Sequence, residues 1–483
     1  MMSLDEARRR VREAGGEELC ERLVHLDEMR SRRERKATRP LLTRPDRGSK
    51  PDYDVVIAGG GLWLLIAPLL AERGLSVAVL DRARIGRAHR EWNCSAKELL
   101  PLSTSGLLSE AEVAELVVAR YDYGVCRFHG GGSHRVTNVL DHAIDAGRLL
   151  ERVRAQAEAR GVALFDGHEV TSHAEGPGSV SLATRTGSDS PTRTLSARLF
   201  VDARGASSPL AAADLVCPTV GGVLSGLEEG PGDDQMLPNV GEILATTEGV
   251  DDGRQHIWEA FPGRPGETTI YLFYYALDTT KGASLLSLYG RFFEQMPKYK
   301  RGAFELIRPT FGFIPGYSRL GPPPAAPGRR VVLVGDSAAR HSPLTFCGFG
   351  NALRSFQRVA DAIAAAASES SGDVPADIFP DAPIHAGTGG LTRLMALPPE
   401  NKARAGELNA LLDTAFETLF EMGDASYGAL LRDEMSAQDF VRFLRLVSAK
   451  RPQVWREALA GLRLFGLGRW GIGIARELFR AAS

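Results

Sequence analysis

Five cysteines occur in the chain, and no two form a C-x-x-C pair. Cys20, Cys94, Cys126, Cys217 and Cys347 are scattered, so neither a disulfide framework nor a metal site is expected, and a reducing cytosol fits. There is no run of about 18 apolar residues, so no hydrophobic helix long enough to cross a bilayer is expected. Charge of one sign is also missing. A formal net charge of −2 gives no reason to expect a nucleic-acid partner. The amino end is charged from Asp5 onward and lacks the apolar stretch of a secretory leader. What remains is an ordinary globular composition, 43% hydrophobic and 24% charged over 483 residues, enough for two or three domains.

Two segments carry nucleotide-type signals. In the first, the apolar strand Val55-Val56-Ile57-Ala58 runs into Gly59-Gly60-Gly61. A helix is expected from Leu62 to Arg73, stopped by Gly74, and a second strand ends at Asp81. Asp81 lies 22 positions after Gly59, where an acidic residue would meet a ribose hydroxyl. The glycines permit a tight turn and let a pyrophosphate approach backbone N–H groups at a helix N-terminus. One position departs from G-x-G-x-x-G, because Leu64 stands where the third glycine belongs. In the second segment, Val331-Val332-Leu333-Val334 ends in Gly335-Asp336. A loop follows, and a helix is expected to open near Asn351. A carboxylate at the carboxyl end of a parallel strand is placed where ligands bind in open α/β sheets.

Around these segments the chain divides as follows. Residues 1–50 form a charged helical extension with a linker. Residues 51–205 and 325–370 form one discontinuous nucleotide-binding domain. A β-rich substrate domain, 206–324, is inserted between them, and residues 371–483 form a helical C-terminal region. A helix is expected over Leu140 to Arg160 and a hairpin over Leu182 to Ala203. Between Leu459 and Phe479, apolar side chains alternate with Arg463, Arg469 and Arg476, a composition suited to an interfacial helix on an anionic membrane or to a helix packed on the body.

Taken in order, the glycine loop, Val201-Asp202-Ala203-Arg204-Gly205 and Gly335-Asp336 resemble the flavoprotein fold shared by p-hydroxybenzoate hydroxylase and the geranylgeranyl reductases. The resemblance implies an α/β, Rossmann-like FAD-binding domain. Its cofactor residues would be Gly59, Gly60, Gly61, Asp81, Asp202, Gly205, Gly335, Asp336, Gly348 and Gly350. Three further segments narrow it. Glu91-Trp92-Asn93-Cys94-Ser95, Trp258-Glu259-Ala260-Phe261-Pro262 and Ser342-Pro343-Leu344-Thr345-Phe346-Cys347-Gly348-Phe349-Gly350 are similar to the CruA/CruP-type lycopene cyclases.

That family implies a non-redox ring closure on an apolar polyene, with reduced FAD required. Protonation at one end of the polyene is followed by a carbocation and loss of a neighbouring proton. Such chemistry needs a carboxyl tuned by burial, and negative charge or π-faces near the cation. Glu259 is the first candidate acid or base and Glu91 the second. Trp92, Trp258, Phe346 and Phe349 are candidates to line the substrate path, and His341 is a candidate shuttle. Two other functions stay open on the same fold: a flavin-dependent reductase or monooxygenase on an isoprenoid or other apolar substrate, and a non-catalytic flavin or carotenoid carrier. A cytoplasmic protein with peripheral membrane contact is expected, without metal or nucleic acid.

Overall fold

The computed structural model describes residues 2–33, 50–88, 91–187, 190–211, 213–251, 253–279, 282–316, 318, 320, 327–339, 344, 348–369, 385–396 and 405–482. Its centre is a seven-stranded sheet built on the strand Tyr53–Ala58. This strand lies parallel between Val77–Asp81 and Arg193–Asp202. Ala163–Asp166 and Val331–Leu333 extend the parallel set, and an antiparallel meander of Val180–Arg185 and Glu169–Glu175 completes the sheet. Val55 and Ile57 pack into one core and Val56 and Ala58 into another. A strand buried on both faces in this way reads as a continuous apolar run. The first core holds the helices Ile66–Glu72, Ala146–Ala159 and Gly348–Ser368. The other face packs on the meander, through Val170, Val180 and Leu182.

A second, eight-stranded sheet comprises Tyr123–Arg127, Ser133–Val136, Leu215–Leu227, Val240–Ala245, Ile257–Pro262, Thr268–Phe273, Ala276–Leu277 and Gly302–Gly316. Its first two strands come from the segment that the sequence reading gives to the nucleotide-binding domain. One face carries the helices Leu4–Arg33 and Leu285–Tyr299. A three-stranded sheet of Glu91–Cys94, His142–Asp145 and Val117–Arg120 packs Cys94 and Ile144 into the core of the first sheet and Ala143 into that of the second. The C-terminal region is helical over His385–Met395, Ala405–Met422, Asp424–Leu431, Ala437–Lys450 and Val454–Ala482, and it shares an apolar core with the second sheet.

Several elements differ from the sequence reading. The helix expected from Leu140 starts at Ala146, because Asp145 caps it by accepting the Arg148 N–H at 3.0 Å, and His142–Asp145 is a strand. Within the β-rich segment, Leu285–Tyr299 is a helix that buries Tyr289, Phe292, Phe293 and Met296, a spacing of 3.6-residue period. The N-terminal extension is not simply exposed. Its helix buries Ala7, Val11, Cys20 and Leu23 against the second sheet and bends at Gly16 (φ 78°, ψ 175°). No helix among the described residues is long and apolar enough to cross a membrane.

Candidate active site

A cleft of about 440 Å³ lies where the carboxyl ends of the central parallel strands meet the second sheet. Gly61, Gly205, Gly335, Asp336 and Gly348 line one side, and Glu91, Trp92, Glu259 and Phe349 line it as well. The structure therefore brings together residues spread over nearly the whole chain, including both candidate carboxyls and two of the candidate aromatics.

Each glycine of the first loop has its own physical reason. Gly59 has φ +116°, and a Cβ there would lie 2.3 Å from the Ala203 carbonyl oxygen. At Gly60 a Cβ would meet Ile85 at 2.8 Å, and its N–H donates to Asp81 Oδ2 at 2.7 Å. Only Gly61 faces open space, and it is the one on the cleft wall. Asp81 Oδ1 accepts the Ala83 N–H at 2.8 Å, so this carboxylate shapes the loop from both oxygens. Leu64 is accommodated by a change of helix type. Leu62–Leu65 forms a 3-10 turn, with the Leu64 N–H donating to the Gly61 carbonyl at 2.9 Å. The α-helix begins only at Ile66, and the Leu64 side chain is fully buried beneath it.

The same turn supplies Trp63, a cleft residue not anticipated from sequence. A Cβ on Gly335 (φ +60°) would approach Trp63 Nε1 to 2.4 Å, so the Gly-Asp turn and the glycine loop close on each other. Gly205 (φ +61°) lies on the same wall, its Cβ position 3.7 Å from Asp336 Cβ. The helix Gly348–Ser368 begins at the cleft with Gly348, Phe349, Asn351 and Ala352. A helix of this length directs N–H groups and positive potential from its first turn.

Six predicted site residues are off the cleft lining: Gly59, Gly60 and Asp81, which pack and hydrogen-bond within the loop, and Asp202, Gly350 and Trp258. Asp202 is fully buried. It accepts from Arg204 Nη2 at 2.7 Å, from the Arg204 backbone N–H at 3.1 Å and from Ser208 Oγ at 2.5 Å, so it braces the loop from inside. Gly350 packs against Glu98, where a Cβ would lie 2.3 Å from Oε1, and that carboxylate is ion-paired to Arg354. Trp258 points to the helix-covered face of its sheet and stacks on Tyr299 with ring centroids 4.6 Å apart. Strand alternation imposes this, since its neighbour Glu259 faces the cleft. Phe346, Arg340, His341 and Cys347 lie outside the described residues.

Glu259 sits in the strand Ile257–Pro262, opposite Tyr271 of the next strand. It is 7% exposed, and no described residue donates a hydrogen bond to its carboxyl. Burial pushes its pKa well above the usual carboxylate range. Around it on the cleft wall stand Phe261, Tyr271, Phe311 and Ile314. Glu91 is held differently. Its Oε1 lies 3.4 Å from Arg308 Nη2 and 4.0 Å from Arg264 Nη1, and its Oε2 accepts from Thr269 Oγ1 at 3.3 Å. Among the described residues, Glu259 thus has no hydrogen-bond donor, whereas Glu91 is ion-paired. Trp92 and Phe349 meet with centroids 5.0 Å apart, joining the small sheet to the start of the Gly348–Ser368 helix. The sequence reading also missed Tyr271 and Phe311, although both lie on strands that flank the same inner face. Arg22 reaches the cleft from the N-terminal helix, and Arg87 from the loop after Asp81.

No family model matches the sequence, and no curated protein matches it. Solved structures share its fold. A geranylgeranyl bacteriochlorophyll reductase-like protein from Thermoplasma acidophilum aligns over 84% of this chain and 98% of its own, at 15% identity and a TM-score of 0.52. A flavoprotein/dehydrogenase from Cytophaga hutchinsonii aligns over 86% of this chain and 99% of its own, at 15% identity and a TM-score of 0.54. A variant of the halogenase PltM in complex with FAD aligns over 85% of this chain and 95% of its own, at 13% identity and a TM-score of 0.56. The chain has the Rossmann-like α/β fold of these flavoproteins, with a β-rich second sheet and a helical C-terminal region.

Proposed function

We propose that the protein is a FAD-dependent enzyme that cyclises an apolar polyene of the carotenoid class without net redox change. The observation that carries this reading is Glu259, a buried carboxyl with no described donor, facing an aromatic cleft. The cleft wall suits the cofactor: an open glycine at Gly61, the close-packed Gly335 turn, Asp336 and a helix start at Gly348. Gly61, Gly205, Gly335, Asp336 and Gly348 would hold the cofactor. When bound and reduced, FAD would supply electron-rich character beside the substrate. That the halogenase PltM is solved with FAD on this fold supports the cofactor assignment.

In this reading burial favours the protonated form of Glu259, which donates its proton to the terminal double bond of the polyene. The next double bond attacks the resulting cation and closes the ring. A proton leaves the adjacent carbon, and the Glu259 carboxylate can accept it, so the enzyme ends as it began. Phe261, Tyr271 and Phe311 present π-faces to the cation, and Glu91 places a carboxylate charge on the same cleft. Phe349 and Trp92 shape the wall near Gly348.

A second reading is supported by two of the structural neighbours, a reductase-like protein and a flavoprotein/dehydrogenase. Here the same cleft serves a flavin-dependent oxidoreductase of an apolar isoprenoid. Expression in a bacterium that accumulates lycopene, with chromatography of the pigments, separates the two. Cyclic carotene formed without stoichiometric NAD(P)H use is expected. Unchanged lycopene with a flavin-loaded protein would transfer the assignment to the oxidoreductase.

A further inference from the structure

Among the described residues, ten large apolar side chains are exposed, and eight of them lie between Phe420 and Phe479. The last helix, Val454–Ala482, carries most of them. Leu464 is 78% exposed, Phe465 73%, Ile472 54% and Phe479 78%. This helix is broken at Arg463 (φ 59°, ψ 169°), directly before the exposed Leu464–Phe465 pair. Backbone in that region is strained for a residue with a side chain. On either side of the break, Leu462, Trp470 and Ile474 are buried in the core shared with the second sheet, which anchors the helix to the body.

The exposed charges of this last helix are of one sign. Arg456, Arg463, Arg476 and Arg480 are exposed, whereas Glu457 is buried in an ion pair with Arg451 at 2.7 Å and Glu477 is partly buried. Large apolar side chains exposed together mark an interaction surface. Interleaved with arginines and lacking exposed acids, they match a bilayer with anionic headgroups, where the guanidiniums stay in the headgroup layer and the apolar groups enter the acyl boundary. The exposed surface also opens inward. Trp455, 45% exposed, lines a small apolar cavity of about 50 Å³ together with Leu412, Phe416, Phe443 and Trp470, and Leu344 of the segment after Gly-Asp reaches its wall.

We infer that the C-terminal helix docks the protein on an anionic lipid surface through Leu464, Phe465, Ile472 and Phe479, with the break at Arg463 presenting the first pair. The inference stands on this surface alone and does not depend on the reaction proposed above.

The test is flotation of the full chain with vesicles of phosphatidylcholine alone and of phosphatidylcholine mixed with phosphatidylglycerol. The expected result is co-flotation with the mixed vesicles, reduced by added salt. The double substitution Leu464→Glu with Phe465→Glu should lower partitioning about tenfold or more, since it removes two apolar insertions and adds repulsion. Both side chains are mostly solvated, so the thermal midpoint of the variant should equal that of the wild type. Failure to float with either vesicle, or equal flotation of variant and wild type, overturns the inference. So does a vesicle-free dimer that the double substitution dissociates, which would assign this face to a second copy of the chain.

Discussion

Trp258 and Glu259 are consecutive residues that face different compartments. One ring is stacked on Tyr299 in the helix-covered core, and the next carboxyl stands in the cleft. Substitutions at the two positions should therefore separate cleanly. Trp258→Ala should lower stability by about 3–5 kcal/mol through cavity formation, measured by denaturant unfolding, and leave the flavin spectrum of the surviving folded fraction unchanged. Glu259→Gln should keep the fold and the flavin and abolish ring formation.

Glu259 also predicts a pH dependence of stability. Its folded pKa is raised by burial, so the native state holds a proton that the unfolded chain releases above the ordinary carboxyl range. Its contribution is complete below that range and is lost as pH rises toward and through the folded pKa, with a slope of up to about 1.4 kcal/mol per pH unit. Chemical unfolding from the ordinary carboxyl range upward should show stability falling faster with pH in the wild type than in Glu259→Gln. Parallel curves would mean that the carboxyl is not held neutral in the folded protein.

The glycine loop gives a contrast between scaffold and ligand surface. Gly59→Ala places a methyl 2.3 Å from a backbone oxygen at positive φ and should cost about 2 kcal/mol or more. Gly61→Ala meets nothing within 4 Å and should leave the thermal midpoint of the flavin-free protein unaltered. If the pyrophosphate lies on this loop, as proposed, Gly61→Ala still weakens flavin retention, read as the absorbance ratio of purified protein.

Asp202 should behave as a structural group. Asp202→Asn leaves the Arg204 guanidinium without its buried counter-charge and should destabilise by about 3–5 kcal/mol in urea. Any loss of flavin should track the loss of folded protein, and added FAD should not restore the midpoint to the wild-type value.

Much of this architecture is legible in the residues themselves. The run Val55–Ala58 before three glycines, and Val331–Val334 before Gly-Asp, identify strands buried on both faces that end at a ligand-binding edge. The direction of side chains was less legible. Ile257–Pro262 is buried at all six positions, so no polar alternation marks which residues face the cleft, and Trp258 could not be separated from Glu259. Asp202 and Gly350 sit in motifs adjoining the cleft, but their partners, Arg204 and Glu98, turn them inward. Contacts formed across long sequence separations leave no local signature. The approach of Trp63 to Gly335 is one, and Arg22 on the cleft wall is another.

The N-terminal helix has a structural consequence. It lies along the second sheet, sends Arg22 to the cleft, and approaches the first domain through Glu18, whose Oε1 is 3.9 Å from Arg87 Nη1. Both side chains of that pair are largely solvated, so water and salt screen it, and the helix is held by Ala7, Val11 and Leu23 packed on the second sheet; trimming the first 33 residues would uncover apolar sheet surface rather than release a charge clamp.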